Sequence, residues 1–277
     1  VKLEQGWIEV ESAGQPVRAY LARQAVDQPA PGVLVIQEVW GPDSHIRDVS
    51  ERFAAAGYVA LAVDLYSRGG RPEALAEPRI EEVKRFLDLV PQSAWMDPAK
   101  REAELAKLPA AEGRRIAETL AELFNPQRPT GRYLEDLGAA FDYLREQPYC
   151  DGRVGSVGFC LGGGLSALLA CQQPDLACAV IFYGASPPAE ELARASCPLL
   201  GLYGERDERI NAGVPAFEEA ANQLGRRLET HTFSGAGHAF FNDTRASFEP
   251  TAARSAWALT LSFLDAHTSP AKEVAKR

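Results

Sequence analysis

The chain has 277 residues, 46% of them hydrophobic and 24% charged. That length buries a core without disulfide or metal staples, and the composition is that of an ordinary globular protein. The formal net charge of −9 repels phosphate backbones and argues against nucleic acid as a partner, and no apolar run is long enough to cross a bilayer, which argues against a membrane.

In chain order, "GWIEV" and "VRAYLAR" alternate apolar and polar residues on either side of "ESAGQP", a hairpin signal. "PGVLVIQEVWG" is a continuous apolar run closed by a turn, which predicts a strand buried on both faces. "DSHIRDVSERFAAAGY" predicts a helix capped by Asp43 or Ser44 and ended at Gly57, and "YVALAVDLY" predicts the next buried strand. From about 67 to 130 the chain is more charged, with three helical patterns broken by prolines and no convincing strand. This segment is expected to be a helical insertion in a single domain spanning 1–277, either a lid over a site or a packed appendage. The alternation then resumes. Helices are predicted in "YLEDLGAAFDYLREQ", "LGGGLSALLACQ", "GVPAFEEAANQLG" and "RASFEPTAARSAWALTLSFLDAH". Strands are predicted in "RVGSVGF", "LACAVIFYG", "CPLLGLYGERD" and "LETHTFS", and the tail "TSPAKEVAKR" is polar and expected to fray. Buried strands alternating with helices predict an α/β fold, a mostly parallel sheet covered on both faces, with binding sites at the carboxyl ends of its strands.

Cysteines stand at 150, 160, 171, 178 and 197. No C-x-x-C pair occurs, so neither a disulfide framework nor a zinc site is expected, and no metal is implied. Together with an N-terminal stretch that lacks the apolar core of a signal peptide, this pattern fits a reducing cytoplasm. One of the five has a distinctive setting. Gly158-x-Cys160-x-Gly162 follows a predicted strand and opens a predicted helix, the context of a nucleophile elbow. The tight turn requires small residues two positions to either side. It places the thiol at a helix amino end, where the dipole favours thiolate, and leaves the Leu161 N–H for a developing oxyanion. The competing reading is an inert thiol among close-packed glycines. Gly162-x-Gly164-x-x-Ala167 matches a dinucleotide fingerprint in letters, but its glycines fall inside the helix, and no cofactor is expected.

A cysteine nucleophile needs a base, and the base an orienting carboxylate. Of four histidines, His238 alone stands in a small-residue loop, "SGAGHAFFND", just past the carboxyl end of a predicted strand. "LLGLYGERDERI" offers Glu205 and Asp207 past its strand, and Asp207 is preferred because the turn spaces it from the strand. Cys160, Asp207 and His238 follow the nucleophile–acid–base order of α/β-hydrolases. Glu38, in "VIQEVWG", is a second carboxylate at a strand's carboxyl end, with no obvious structural purpose.

Four stretches together resemble the dienelactone hydrolase (carboxymethylenebutenolidase-like) family of the α/β-hydrolase superfamily: "QEVWG" at 37–41, "HIRDVSERFAAAGYVALAVDLYSR", "GFCLGG" at 158–163, and "GERD" at 204–207 with Gly237-His238. The resemblance implies an α/β-hydrolase fold and a triad on Cys160, Asp207 and His238. It also implies a functional glutamate at Glu38, with oxyanion donors in the N–H groups of Leu161 and Val39. It further implies a resting thiol hydrogen-bonded to Glu38 until an anionic substrate displaces that carboxylate. Where dienelactone-cleaving members carry an arginine four residues after the histidine, this chain has Asn242. Arg68, Arg71 and Arg245 are the candidates to take over the grip on a substrate carboxylate, with Trp40 beside the site. Thiolate is a good leaving group, so an acyl-cysteine route suits enol lactones, activated esters and thioesters and does not suit ordinary amides. The expected partner is therefore a small ester or lactone. The alternatives are a non-hydrolytic thiol protein, redox-sensing or ligand-binding, and a serine hydrolase using Ser156 or Ser166.

Overall fold

The computed structural model describes residues 1–91 and 93–269; most of the tail expected to fray lies outside them. Eight strands form one sheet: β1 (Leu3–Ser12), β2 (Gln15–Gln24), β3 (Ala30–Ile36), β4 (Val59–Val63), β5 (Cys150–Phe159), β6 (Ala179–Phe182), β7 (Leu199–Gly204) and β8 (Leu228–Phe233). Their order is β1-β2-β4-β3-β5-β6-β7-β8. The first two pairings are antiparallel and all others parallel. The central strands β3, β4, β6 and β7 are apolar without alternation, as strands covered on both faces must be.

β3 pairs with β4 on one side and β5 on the other. The connection leaving β3 passes through α1 (Ser44–Ala55), and the one leaving β5 passes through α7 (Leu161–Gln172). Right-handed crossovers carry these helices to opposite faces and open a crevice at the carboxyl ends of β3 and β5. Around them lie α6 (Thr130–Glu146), the short α8 (Ala189–Leu192) and α9 (Glu208–Asn211), α10 (Val214–Gln223) and α11 (Pro250–Thr268). Asp43 caps α1, accepting from the Ile46 N–H at 3.1 Å, and Gly57 follows the helix at φ 100°.

Residues 66–129 form a second compact unit, of α2 (Glu77–Leu89), α3 (Ser93–Met96), α4 (Pro98–Leu105) and α5 (Ala110–Leu123). Pro78 and Pro98 sit in the first turns of α2 and α4, and Pro109 precedes α5, so these prolines start helices here. α2 and α5 face each other through Ile80, Val83 and Leu87 against Ile116, Leu120 and Leu123, all buried, with Glu82–Arg115 and Arg79–Glu118 pairs alongside at 2.6 and 3.0 Å. No helix among the described residues is long and apolar enough to cross a membrane.

Three boundaries differ from the sequence reading. The hairpin link is two residues, Ala13 and Gly14 at φ 49° and 76°, not six. Positive φ at both turn positions gives the twist that paired strands prefer, so the strands extend to the turn itself. β3 ends at Ile36, and just past it the Gln37 side chain accepts from the Leu65 N–H at 3.1 Å. The closing helix begins at Pro250, where the Glu249 carboxylate accepts from the Ala252 N–H at 2.6 Å.

Candidate active site

Cys160 stands between β5 and α7 at φ 54°, ψ −110°, a conformation rare for any residue other than glycine. The strain is imposed by packing. A Cβ on Gly158 would lie 1.8 Å from the Gly162 carbonyl oxygen, and one on Gly162 would lie 2.2 Å from that of Ile36. Only glycine at both positions lets the turn close while α7 seats against β3. Cys160 is the only one of the five cysteines that is not buried. Burial pushes the other thiols up, Cys171 to about 11 and Cys197 to about 12.

The structure brings three distant side chains together. His238, on the loop after β8, places Nε2 3.1 Å from Cys160 Sγ and Nδ1 2.5 Å from Asp207 Oδ2. Asp207 is 7% exposed and caps α9 just past β7. Burial works against charge on the imidazole. The negative charge of the Cys160 sulfur and the hydrogen bond to Asp207 outweigh it, and the ring is raised to about 10. Glu205, the other carboxylate in that turn, has a different task. It accepts from Ser234 Oγ at 3.0 Å and from the Gly235 N–H at 2.8 Å, clamping the loop that leads to His238. Those bonds hold its carboxyl below the ordinary range.

Glu38 follows β3 and is 2% exposed. The resemblance led to the expectation of a hydrogen bond to the Cys160 thiol. Here Sγ is paired with His238 instead, and the Glu38 carboxylate accepts from Tyr183 Oη at 3.2 Å and Asn242 Nδ2 at 2.7 Å. Two donors hold the carboxylate while the imidazole, braced by Asp207, takes the sulfur. Sequence reasoning missed Tyr183, which reads as the end of an apolar strand, "VIFYG". It noted Asn242 only as an absent arginine.

Leu161 is the first residue of α7, where the Gly163 and Gly164 N–H groups donate to the Cys160 carbonyl at 3.1 and 3.3 Å, and Val39 lies in the turn after β3. Trp40 and Arg245 are both buried, and the guanidinium lies 5.5 Å from the indole ring. Arg68 and Arg71 belong to the helical unit, where Arg71 donates to the Leu75 carbonyl at 2.8 Å. Ser156 and Ser166 are fully buried and hydrogen-bonded to each other at 2.8 Å, which removes the serine alternative. Among the described residues no cluster of ligating side chains suits a metal.

Comparison with known proteins identifies the family. The model of the dienelactone hydrolase family matches residues 17–268. A Saccharolobus solfataricus protein, "Putative carboxymethylenebutenolidase", is 36% identical, over 92% of this chain and 95% of its own. A Bradyrhizobium protein, "Probable 2-oxo-3-(5-oxofuran-2-ylidene)propanoate lactonase", is 30% identical, over 94% of each chain. The crystal structure of "Putative Dienelactone Hydrolase" from Klebsiella pneumoniae superposes with a TM-score of 0.72 at 27% identity, covering 95% of this chain and 98% of that one.

Proposed function

The chain belongs to the dienelactone hydrolase family and is a hydrolase of carboxylic esters or lactones, and from that premise we propose that it cleaves activated esters or enol lactones through an acyl-cysteine formed on Cys160. The observation that carries this reading is the continuous relay from Sγ through the imidazole to the Asp207 carboxylate, 3.1 Å and 2.5 Å long in its two links.

His238, which Asp207 holds with Nε2 toward the sulfur, takes the cysteine proton. The sulfur attacks the acyl carbon and a C–S bond forms. Negative charge gathers on the carbonyl oxygen, where the N–H groups of Leu161 and Val39 are the donors. The intermediate then collapses. The bond from the acyl carbon to the leaving oxygen breaks, and His238 gives that oxygen its proton. A water next attacks the thioester and loses a proton to His238, the C–S bond breaks, and the carboxylate product leaves. Because sulfur is itself a good leaving group, the forward collapse needs a departing oxygen at least as stable as thiolate. An enolate or phenolate meets that condition and an amine does not. The Bradyrhizobium relative's name describes an anionic ylidene lactone, whose opening releases an enolate. Arg245 beside Trp40 is the residue we assign to a substrate carboxylate within the α/β unit.

The test is hydrolysis of a p-nitrophenyl ester and of an enol lactone by the wild type, Cys160→Ala and His238→Ala. Burst release of nitrophenol and a trapped acyl-cysteine are expected from the wild type alone. A wild-type rate no higher than that of either variant would favour a non-hydrolytic thiol protein.

A further inference from the structure

We propose that Tyr183 and Asn242 are positioning residues that hold the Glu38 carboxylate in place beside the thiol–imidazole pair, a reading that rests on the hydrolytic mechanism above.

Tyr183 follows β6 at φ 39°, an unfavourable conformation for an aromatic residue. Its ring is fully buried, with its centroid 5.2 Å from that of His238 and 5.4 Å from that of Phe240. The backbone N–H is fixed by the Leu202 carbonyl at 2.8 Å. From that strained seat the phenol reaches Glu38 Oε1. Burial first, then the charges of Glu38 and Cys160, push the phenol well above its ordinary range, so it stays a donor at any working pH. Strain of this kind persists only where the surroundings impose it, and it gathers at working sites.

Asn242 is oriented by its other end. Its Oδ1 accepts from Thr244 N–H at 3.0 Å and Thr244 Oγ1 at 2.7 Å, which leaves Nδ2 to donate to Glu38 Oε2. Both carboxylate oxygens are thus occupied by neutral donors. Neither donor is a cation, and the Cys160 sulfur is hydrogen-bonded to His238 rather than to Glu38. The other charges bearing on this group are Cys160 and Asp43, which act on the same phenol, and His238 against the Tyr183 ring. Arg245 lies over Trp40, two residues beyond Glu38.

A donor removed from a carboxylate disfavours its ionised form. Tyr183→Phe removes one hydroxyl and keeps the ring. Asn242→Asp keeps the acceptor for Thr244 and replaces the donor by a carboxylate oxygen beside Glu38. The experiment measures ester kcat/KM from pH 4 to 10 and, independently of turnover, the iodoacetamide rate of Cys160. Both are run for the wild type, each variant, Glu38→Gln and the two double variants. Both substitutions are expected to move the acid limb of both profiles up, Asn242→Asp further than Tyr183→Phe. Tyr183→Phe is not expected to move the limb in the Glu38→Gln background, whereas the new carboxylate of Asn242→Asp acts on the thiol–imidazole pair there as well. An acid limb unmoved in both folded single variants, or moved equally by Tyr183→Phe without Glu38, overturns the proposal. Ester hydrolysis undiminished in Cys160→Ala overturns instead the mechanism beneath it.

Discussion

Asp207→Asn isolates the orienting carboxylate with little structural disturbance. The wild-type link is a 2.5 Å hydrogen bond from His238 Nδ1 to a carboxylate that is 7% exposed. Such a charge-assisted bond is roughly twice as strong as a neutral one. Asparagine keeps the shape but can present its amide nitrogen to Nδ1. The ring then carries its proton on Nε2, facing the sulfur, and cannot accept one there. Loss of a positioned acid–base group costs about 10²–10⁴ in kcat/KM, or about 3–5 kcal/mol of transition-state stabilisation. Stability should hardly change. The second contact of Asp207 is a marginal 3.5 Å bond from the Ile210 N–H at the start of α9, and asparagine caps a helix about as well as aspartate, so Tm should move by no more than roughly 2–4 °C. The assay is steady-state and burst-phase hydrolysis of a p-nitrophenyl ester beside a thermal melt, with His238→Ala as the reference for loss of the base. A folded Asp207→Asn protein retaining more than about a tenth of wild-type kcat/KM would refute the claim that this carboxylate sets the tautomer.

Three further outcomes follow from the same site. Gly158→Ala drives a methyl to 1.8 Å from the Gly162 oxygen; we expect a loss of about 3 kcal/mol or more by thermal or denaturant melting, and a Tm within about 2 °C of wild type would show that the elbow can open. Iodoacetamide at neutral pH should modify Cys160 alone in the folded protein and abolish hydrolysis, because the other four thiols are buried; peptide mapping that finds a second cysteine labelled at a similar rate contradicts this. The His238 ring should keep its second proton to about pH 10 and release it above. In Cys160→Ala, which removes the chief charge raising it, release should fall toward the ordinary 6.5. Imidazole NMR reads both midpoints, and an unchanged midpoint in the variant rejects the sulfur as the cause.

Where the sequence was legible, the cause was local. Gly158-x-Cys160-x-Gly162 announces its turn because only glycine clears the 1.8 and 2.2 Å approaches on either side of the cysteine. Apolar runs such as "VALAV" announce strands covered on both faces. The two-residue hairpin was less legible, since Ala13 carries no strong preference for the positive φ it adopts. The short helices α8 and α9 lack the length to show a period.

The residue pattern by itself determined the order of strands and helices, the strained cysteine and a short set of acids and histidines past strand ends, because each depends on neighbours a few positions away. Strand order, a property of the whole sheet, decided the rest. Setting β3 against β5 and β7 against β8 brought Glu38 near the elbow and Asp207 beside His238. The same packing assigned Glu205 to the loop and gave Glu38 its two donors, Tyr183 from 145 positions away and Asn242 from 204. Contacts between residues so far apart in the chain leave no periodicity to read; they exist only once the sheet has closed around them.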